Sequence, residues 1–479
     1  MADVPAWIDD ELVSLAEFAE VWRPQSTRTA PSTENRRRAL AMSRRRDPVF
    51  PEPRSTGGRG ERFRLGDLNA WAQRRGSHVD LSPAWLARLT ARSVARDHGA
   101  DPVRRFVAGT LLLRRLDGTG LSASATGAGR AAARRLRGDL RDRVASKRLE
   151  TQLDTALEGG TGAGDLFETV LAAVSPPRTV AATSTPEGLA AVLVAIGRPQ
   201  AGELVYDPAI GEGTLALRAA QTADGPIRVV GRDTDPAAQD LATARLLVHG
   251  VDYEPDQAPT DALSAGSTRV TADLVLLDPP IKGDLTAWAH AAVDNLAPGG
   301  RTVVALPFRS LEPASGVWAA LPPGAVEAVV VLPDRLRTDT GDPLAVWLLR
   351  PGRLDDGTLL IDARQTGSRS GARKTLPGED VDFIGRTLVD WRHASELSDL
   401  GGAARVLRSQ EMDQSSGDLR PERWLEAPDR SAALAEALRL SRRLHDLLNS
   451  ELNPLATAEY RRALGRLERT IERELQAER

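Results

Sequence analysis

A chain of 479 residues, 41% hydrophobic and 27% charged, is too long for one ordinary core, and the composition is that of a soluble protein of three or four domains. Cysteine is absent, which excludes disulfides, thiolate metal sites and any reaction that needs a cysteine nucleophile, methylation of cytosine at carbon 5 among them. No apolar run approaches the roughly 18 residues that span a bilayer, and the acidic start MADVPAWIDDEL is no signal peptide, so a cytoplasmic protein without membrane contact is expected.

The net charge of −3 conceals an asymmetry: Arg23 to Arg75 holds 14 arginines against five acids, as expected of a polyanion-binding module in a weakly acidic protein. Leu12 to Trp22 has helical apolar spacing. Arg36 to Arg46 forms a basic helix, VFPEP and a Gly/Arg turn follow, and ERFRLGDLNAWAQRRG reads as a strand running into a helix. On Phe50, Pro51, Pro53, Arg62, Phe63, Leu65, Leu68 and Trp71 this stretch resembles the excisionase or MerR-like winged-helix family, with about ten residues inserted around Pro24–Asn35. The resemblance implies that the basic helix enters a major groove, with Arg36, Arg37, Arg44 and Arg45 near DNA phosphates.

Leu81 to Val174 is apolar at helical spacing, broken by Gly/Ser/Thr clusters, and reads as a helical bundle. From Thr179 the runs ELVYD, IRVVGRD, ADLVLLD, RTVVALP, VEAVVVLP and LAVWLLR alternate with helical segments, which predicts a doubly wound, Rossmann-like α/β sheet. GTLLIDA is expected to add an edge strand, and Ser431 to Arg479 two long amphipathic helices. The expected domains are 1–78 (winged-helix-like), 79–178 (helical), 179–400 (α/β) and 401–479 (C-terminal helices that dock a partner).

The first strand of the sheet ends in Asp207-Pro-Ala-Ile-Gly211-Glu-Gly213, where glycines two apart permit a tight turn beneath a ligand. A third glycine is missing, so a dinucleotide is disfavoured, and the strand-end acid Asp207 suits the amino group of a methionine moiety. Asp233 and Asp235 close the second strand, where a carboxylate can accept hydrogen bonds from ribose hydroxyls. ADLVLLD runs into Asp278-Pro279-Pro280-Ile281, and two prolines after a buried strand force the chain out at the carboxyl edge of the sheet. The adenine amino group is a poor nucleophile because its lone pair is delocalised. The Asp278 carboxylate and the Pro279 carbonyl can both accept its N–H bonds, localising the lone pair for in-line attack on a sulfonium methyl. The base must leave the duplex to reach them.

In this order the motifs resemble the amino-methylating (N6-adenine) DNA methyltransferases, and specifically the modification subunits of type I restriction systems, over about Leu166–Leu425. The matching phrases are Thr185-Pro186, Asp207–Gly213, GRDTDPAAQDLATARLLVHG, Asp261-Ala-Leu263, DPPI, VVVLPDRL and LRPERWL. The resemblance implies S-adenosylmethionine as cofactor, held by Thr185, Pro186, Asp207, Gly211, Gly213, Asp233 on the ribose and Asp261 on the adenine. It also implies Asp278, Pro279, Pro280 and Ile281 as the catalytic segment, no metal, DNA as substrate and a separate specificity subunit, with an oligomer left open. Two residues depart from the family pattern. Glu212 places a negative charge in the donor loop, which weakens donor binding unless it points to solvent. Ile281 stands where the family has an aromatic ring, and base stacking is worth about 1–3 kcal/mol; Trp288 or Phe308 are the candidate replacements. An adenine-N6 methyltransferase of a restriction–modification or phage-defence system is the expected function. The alternatives are a catalytically degenerate scaffold that binds DNA or a partner, transfer to cytosine N4, and an enzyme acting on protein glutamine or RNA bases.

Overall fold

The computed structural model describes residues 6–425, apart from segments at 25–31, 58–59, 119–122, 175–183, 256–259, 265–266, 282, 354–356, 371–372 and 394–402. The helices expected over Ser431–Arg479 therefore lie outside the described residues. The chain forms two compact units, one of residues 1–185 and 199–267, the other of 186–198 and 268–479.

In the first unit, β1 (Leu12–Val13), α1 (Leu15–Val21), β2 (Trp22–Arg23), α2 (Thr33–Arg46), the hairpin β3 (Ser55–Gly57) and β4 (Gly60–Arg64), α3 (Leu65–Arg74) and β5 (His78–Val79) follow in order. Ser14 starts α1 with a reciprocal capping box to Glu17, and the Ser32 hydroxyl caps α2 by accepting the Asn35 N–H at 3.2 Å. The aromatic residues of the VFPEP–AW stretch supply the core: Phe50 meets Phe63 edge-on at 5.9 Å and Trp71 at 4.8 Å between ring centroids. Trp85, Leu86 and Leu89 belong to this same core. They lie on α4 (Pro83–His98), the first of the five helices of the expected bundle, with α5 (Ala100–Leu116), α6 (Ala123–Gly138), α7 (Arg143–Glu158) and α8 (Ala163–Ala173). A Cβ on Gly109 would fall 2.8 Å from the Ala133 carbonyl, so the close approach of α5 to α6 depends on that glycine.

Three parallel strands, β6 (Leu204–Asp207), β7 (Arg228–Gly231) and β8 (Asp252–Pro255), complete the first unit. The helix Pro236–Val248 between the last two is tied to the bundle by a bidentate Arg135–Asp240 pair at 2.8 and 2.6 Å.

The second unit carries β9 (Ala272–Leu277), β10 (Leu296–Pro307), β11 (Val326–Leu332), β12 (Leu344–Leu349) and β13 (Gly357–Asp362). β9 runs parallel to β10, and β12 is antiparallel to both β10 and β11, so β9, β10 and β11 all end at the same edge. β13 pairs with β11 on one side and with the strand Ala404–Arg408 on the other. GTLLIDA is thus an inner strand, not the edge its position in the chain suggested. It is buried from Gly357 to Ile361, as its apolar Leu359–Ile361 run requires.

Candidate active site

The donor-site candidates of the first unit converge. Asp207 ends β6 with only 2% of its surface exposed, and its carboxylate accepts the Ala209 N–H at 3.0 Å. The chain then turns through Gly211 (φ 53°) and Gly213 (φ 79°), both left-handed. A Cβ on Gly213 would also lie 3.2 Å from Ala242 Cα, on the helix that backs the loop. Ile210 is buried and fills the space over Gly231, where a Cβ would meet it at 2.1 Å.

Asp233, just beyond β7, accepts the N–H of Gly211 at 2.9 Å and that of Asp235 at 2.8 Å, so one carboxylate ties both loops together. Burial pushes its carboxyl above the usual aspartate range, against the opposing pull of those backbone N–H groups. The Asp233 carbonyl accepts the Thr260 N–H at 3.0 Å, which brings the exposed Asp261 beside the same loop. Asp235 instead caps the helix Pro236–Val248 through the Ala237 N–H at 2.8 Å. Thr185 is half-buried, and Pro186 is the N-cap of the helix Glu187–Gly197.

Glu212 neither reaches solvent nor stands unpaired, contrary to the choice posed by the sequence. It is 6% exposed and accepts a 2.7 Å bond from Arg104 of α5, while Arg245 Nη1 donates to its backbone carbonyl at 2.7 Å. Its charge is thus neutralised by arginines the sequence did not single out.

In the second unit Asp278 follows β9, its side chain 3% exposed. Arg337, beyond the end of β11, sits on it. Its Nη1 donates to Asp278 Oδ1 and lies 3.4 Å from the Pro279 carbonyl oxygen, while Nε and Nη2 fork onto the two oxygens of Asp339 at 2.9 Å each. Burial opposes the charge on Arg337, but the two carboxylates outweigh it and keep the guanidinium protonated. Sequence reasoning missed this residue, although an Arg and an Asp two apart, just past a buried strand, were a visible signal. Pro280 is exposed and Ile281 half-buried, with the Ile281 carbonyl accepting from Arg309 at 3.1 Å. Of the candidate replacement rings, Trp288 is buried on the helix Leu285–Asp294, and Phe308 is half-buried beneath the Arg364 guanidinium at 5.7 Å.

The four arginines assigned to phosphates separate. Arg36 is buried, donating to the Ala19 carbonyl at 2.6 Å and to Thr33 at 2.9 Å, and so serves the fold and is not presented to a ligand. Arg44 lies 3.3 Å from Glu52 and 3.5 Å from Glu61, and Arg37 lies 3.8 Å from Glu34, but both Arg37 and Arg45 are exposed. Among the described residues no group of three or more His, Asp or Glu is arranged to hold a metal, and no helix is long and apolar enough to cross a membrane.

The model of the N-6 DNA methylase family matches residues 162–295 and 286–432. The chain is 24% identical over 278 residues to the methylase subunit of the type I restriction enzyme HindI from Haemophilus influenzae (strain ATCC 51907 / DSM 11121 / KW20 / Rd). That match covers 50% of this chain and 62% of that protein, less than two thirds of its length. The fold resembles a chain solved in work on the assembly and conformational transition of a type I restriction–modification system, with TM-score 0.55 and 16% identity, over 77% of this chain and 98% of that one. It also resembles a modification subunit attributed to a type I restriction enzyme from Vibrio vulnificus YJ016, with TM-score 0.50 and 14% identity, over 69% and 93%.

Proposed function

This chain belongs to the N-6 DNA methylase family, and from that premise we propose that it is an S-adenosylmethionine-dependent DNA adenine-N6 methyltransferase, the modification subunit of a cytoplasmic restriction–modification or phage-defence system. The observation that carries the proposal is the end of β9, where a buried carboxylate and the carbonyl of a Pro-Pro step, Asp278 and Pro279, stand together as hydrogen-bond acceptors.

The residues present fit the donor. Two left-handed glycines keep both corners of the loop free of side chains, and Asp207, Asp233 and Asp261 cluster around it. Asp207 would hold the methionine amino group, Asp233 the ribose hydroxyls and Asp261 the adenine, and by the family pattern Thr185 and Pro186 would complete the donor set. S-adenosylmethionine, when bound, supplies a methyl group already activated by its sulfonium charge. Asp278 and the Pro279 carbonyl accept the two amino N–H bonds, orient the nitrogen lone pair, and leave Asp278 placed to take the proton that nitrogen loses. Ile281 offers apolar contact to the flipped base without a stacking face. The N-terminal module would contact DNA phosphates through Arg37 and Arg45 of α2, and a separate specificity subunit would dock on the region after residue 400.

The test is incubation with labelled S-adenosylmethionine and unmethylated genomic DNA, followed by hydrolysis and nucleoside analysis. N6-methyladenine lost in Asp278→Ala is the expected result; N4-methylcytosine would move the acceptor to cytosine. The Arg337 contact and Ile281 favour one second reading, a degenerate scaffold without catalysis. Titration of S-adenosylmethionine by calorimetry, with Asp207→Ala as control, separates the two, since absence of binding to the folded protein supports the scaffold.

A further inference from the structure

Arg337 already holds the atoms that the proposed reaction needs. Its Nη1 occupies Asp278 Oδ1 and approaches the Pro279 carbonyl, the same two acceptors an exocyclic amino group would use. Both side chains are nearly sealed from solvent, at 6% and 3% exposure. A neutral amino group is a poor competitor, because charge-assisted hydrogen bonds are roughly twice as strong as neutral ones. Expelling the guanidinium would also leave the buried Asp278 carboxylate without its cation and reduce Arg337 from two carboxylates to Asp339 alone. An acceptor substrate that brings an anion of its own replaces the contact Arg337 gives up and so opens the site at least cost. A phosphate diester is such an anion, since it matches the planar guanidinium fork as well as a carboxylate does.

We propose that Arg337 is the resident ligand of the amino-acceptor pair, and that a target adenine gains Asp278 and Pro279 only as Arg337 exchanges Asp278 for a phosphate of the incoming strand. Base capture and backbone capture are then one event, and a nucleoside without phosphate is refused. This inference rests on the adenine-N6 function proposed above.

The test compares wild type, Arg337→Gln and Arg337→Lys. Glutamine keeps a donor but not the charge, so the amino group can compete for Asp278, while Asp339, the more exposed carboxylate at 24%, is left to water. Lysine keeps the charge. With labelled S-adenosylmethionine, Arg337→Gln is expected to methylate deoxyadenosine at least about tenfold faster than wild type, the ratio set by roughly one hydrogen bond of altered strength. Its transfer to unmethylated genomic DNA is expected to lose salt dependence equivalent to about one neutralised phosphate. Arg337→Lys should stay closed to deoxyadenosine. Unfolding temperature and donor calorimetry confirm that each variant is folded and loaded. An Arg337→Gln protein that binds donor as wild type does but gains nothing on deoxyadenosine overturns the proposal, as does a wild type that already methylates deoxyadenosine equally well. If instead Asp278→Ala leaves transfer to DNA intact, the assignment of Asp278 as the amino acceptor fails, and if no variant binds donor the methyltransferase reading fails; either outcome removes this inference with it.

Discussion

At the scale of single residues, the loop proposed to hold the donor is fixed by features that tolerate little change. Gly213 combines φ 79° with a helix backbone 3.2 Å from where a Cβ would sit. Gly213→Ala is expected to cost about 1–3 kcal/mol, the scale for a residue forced into a sparsely populated backbone region, and to weaken donor binding, measured by denaturant unfolding and calorimetry. Next to it, the Arg104–Glu212 pair is buried yet incompletely satisfied: Arg104 Nε and Nη1 and Glu212 Oε1 find no protein hydrogen-bond partner among the described residues. Arg104→Met leaves the buried Glu212 carboxylate with only the longer 3.9 Å contact to Arg245, so it should destabilise by up to about 3–5 kcal/mol. Replacing both, as Arg104→Met with Glu212→Leu, should recover most of that loss. A double variant as unstable as the single one would show that the pair is not the unit that matters.

At the scale of elements, α2 divides its arginines by helical phase. Arg36 lies one turn before Leu40, and these two are its buried residues. That spacing was visible in the chain and marks Arg36 as a core-side arginine despite its basic neighbours. Substituting Arg37, Arg45 and Arg46 by alanine should lower affinity for a DNA duplex and reduce the slope of log K against log salt by about 0.9 for each phosphate no longer neutralised. Arg36→Ala should instead lower the unfolding temperature with the salt slope unchanged.

The end of α2 also carries a titration. The Trp71 indole N–H at 2.8 Å, with Val49 N–H and Arg75 assisting, holds the Asp47 carboxyl below its usual range. A depressed carboxyl stabilises the fold at pH above its unfolded value, about 3.9, and that stability disappears as the pH falls through the folded one. Acid unfolding of the full chain, followed by tryptophan fluorescence, should therefore be less steep below about pH 4 in Asp47→Asn.

At the scale of the whole molecule, a working donor site should show itself in stability. Free donor at about a hundred times its dissociation constant adds roughly 2.7 kcal/mol to unfolding, an increment that Asp207→Ala should abolish. Much of the α/β architecture was legible beforehand, because strands buried on both faces, such as VEAVVVL and LAVWLL, must be nearly continuous apolar runs. The strand-end acids and glycines were legible for a related reason, since tight turns and carboxyl-edge ligands demand particular residue types at fixed offsets. The inner place of GTLLID was not, because strand order is decided by which edges meet, and the pairing strand Ala404–Arg408 lies more than forty residues further on. By itself the sequence determined the periodicities, the turns and the motif order that mark the family, all properties of neighbours along the chain. Only the tertiary structure decided where the charges went, because a guanidinium reaches across several ångströms to whichever carboxylate folding brings near. Thus Glu212 met Arg104 from 108 positions away, and Asp278 met Arg337 from 59.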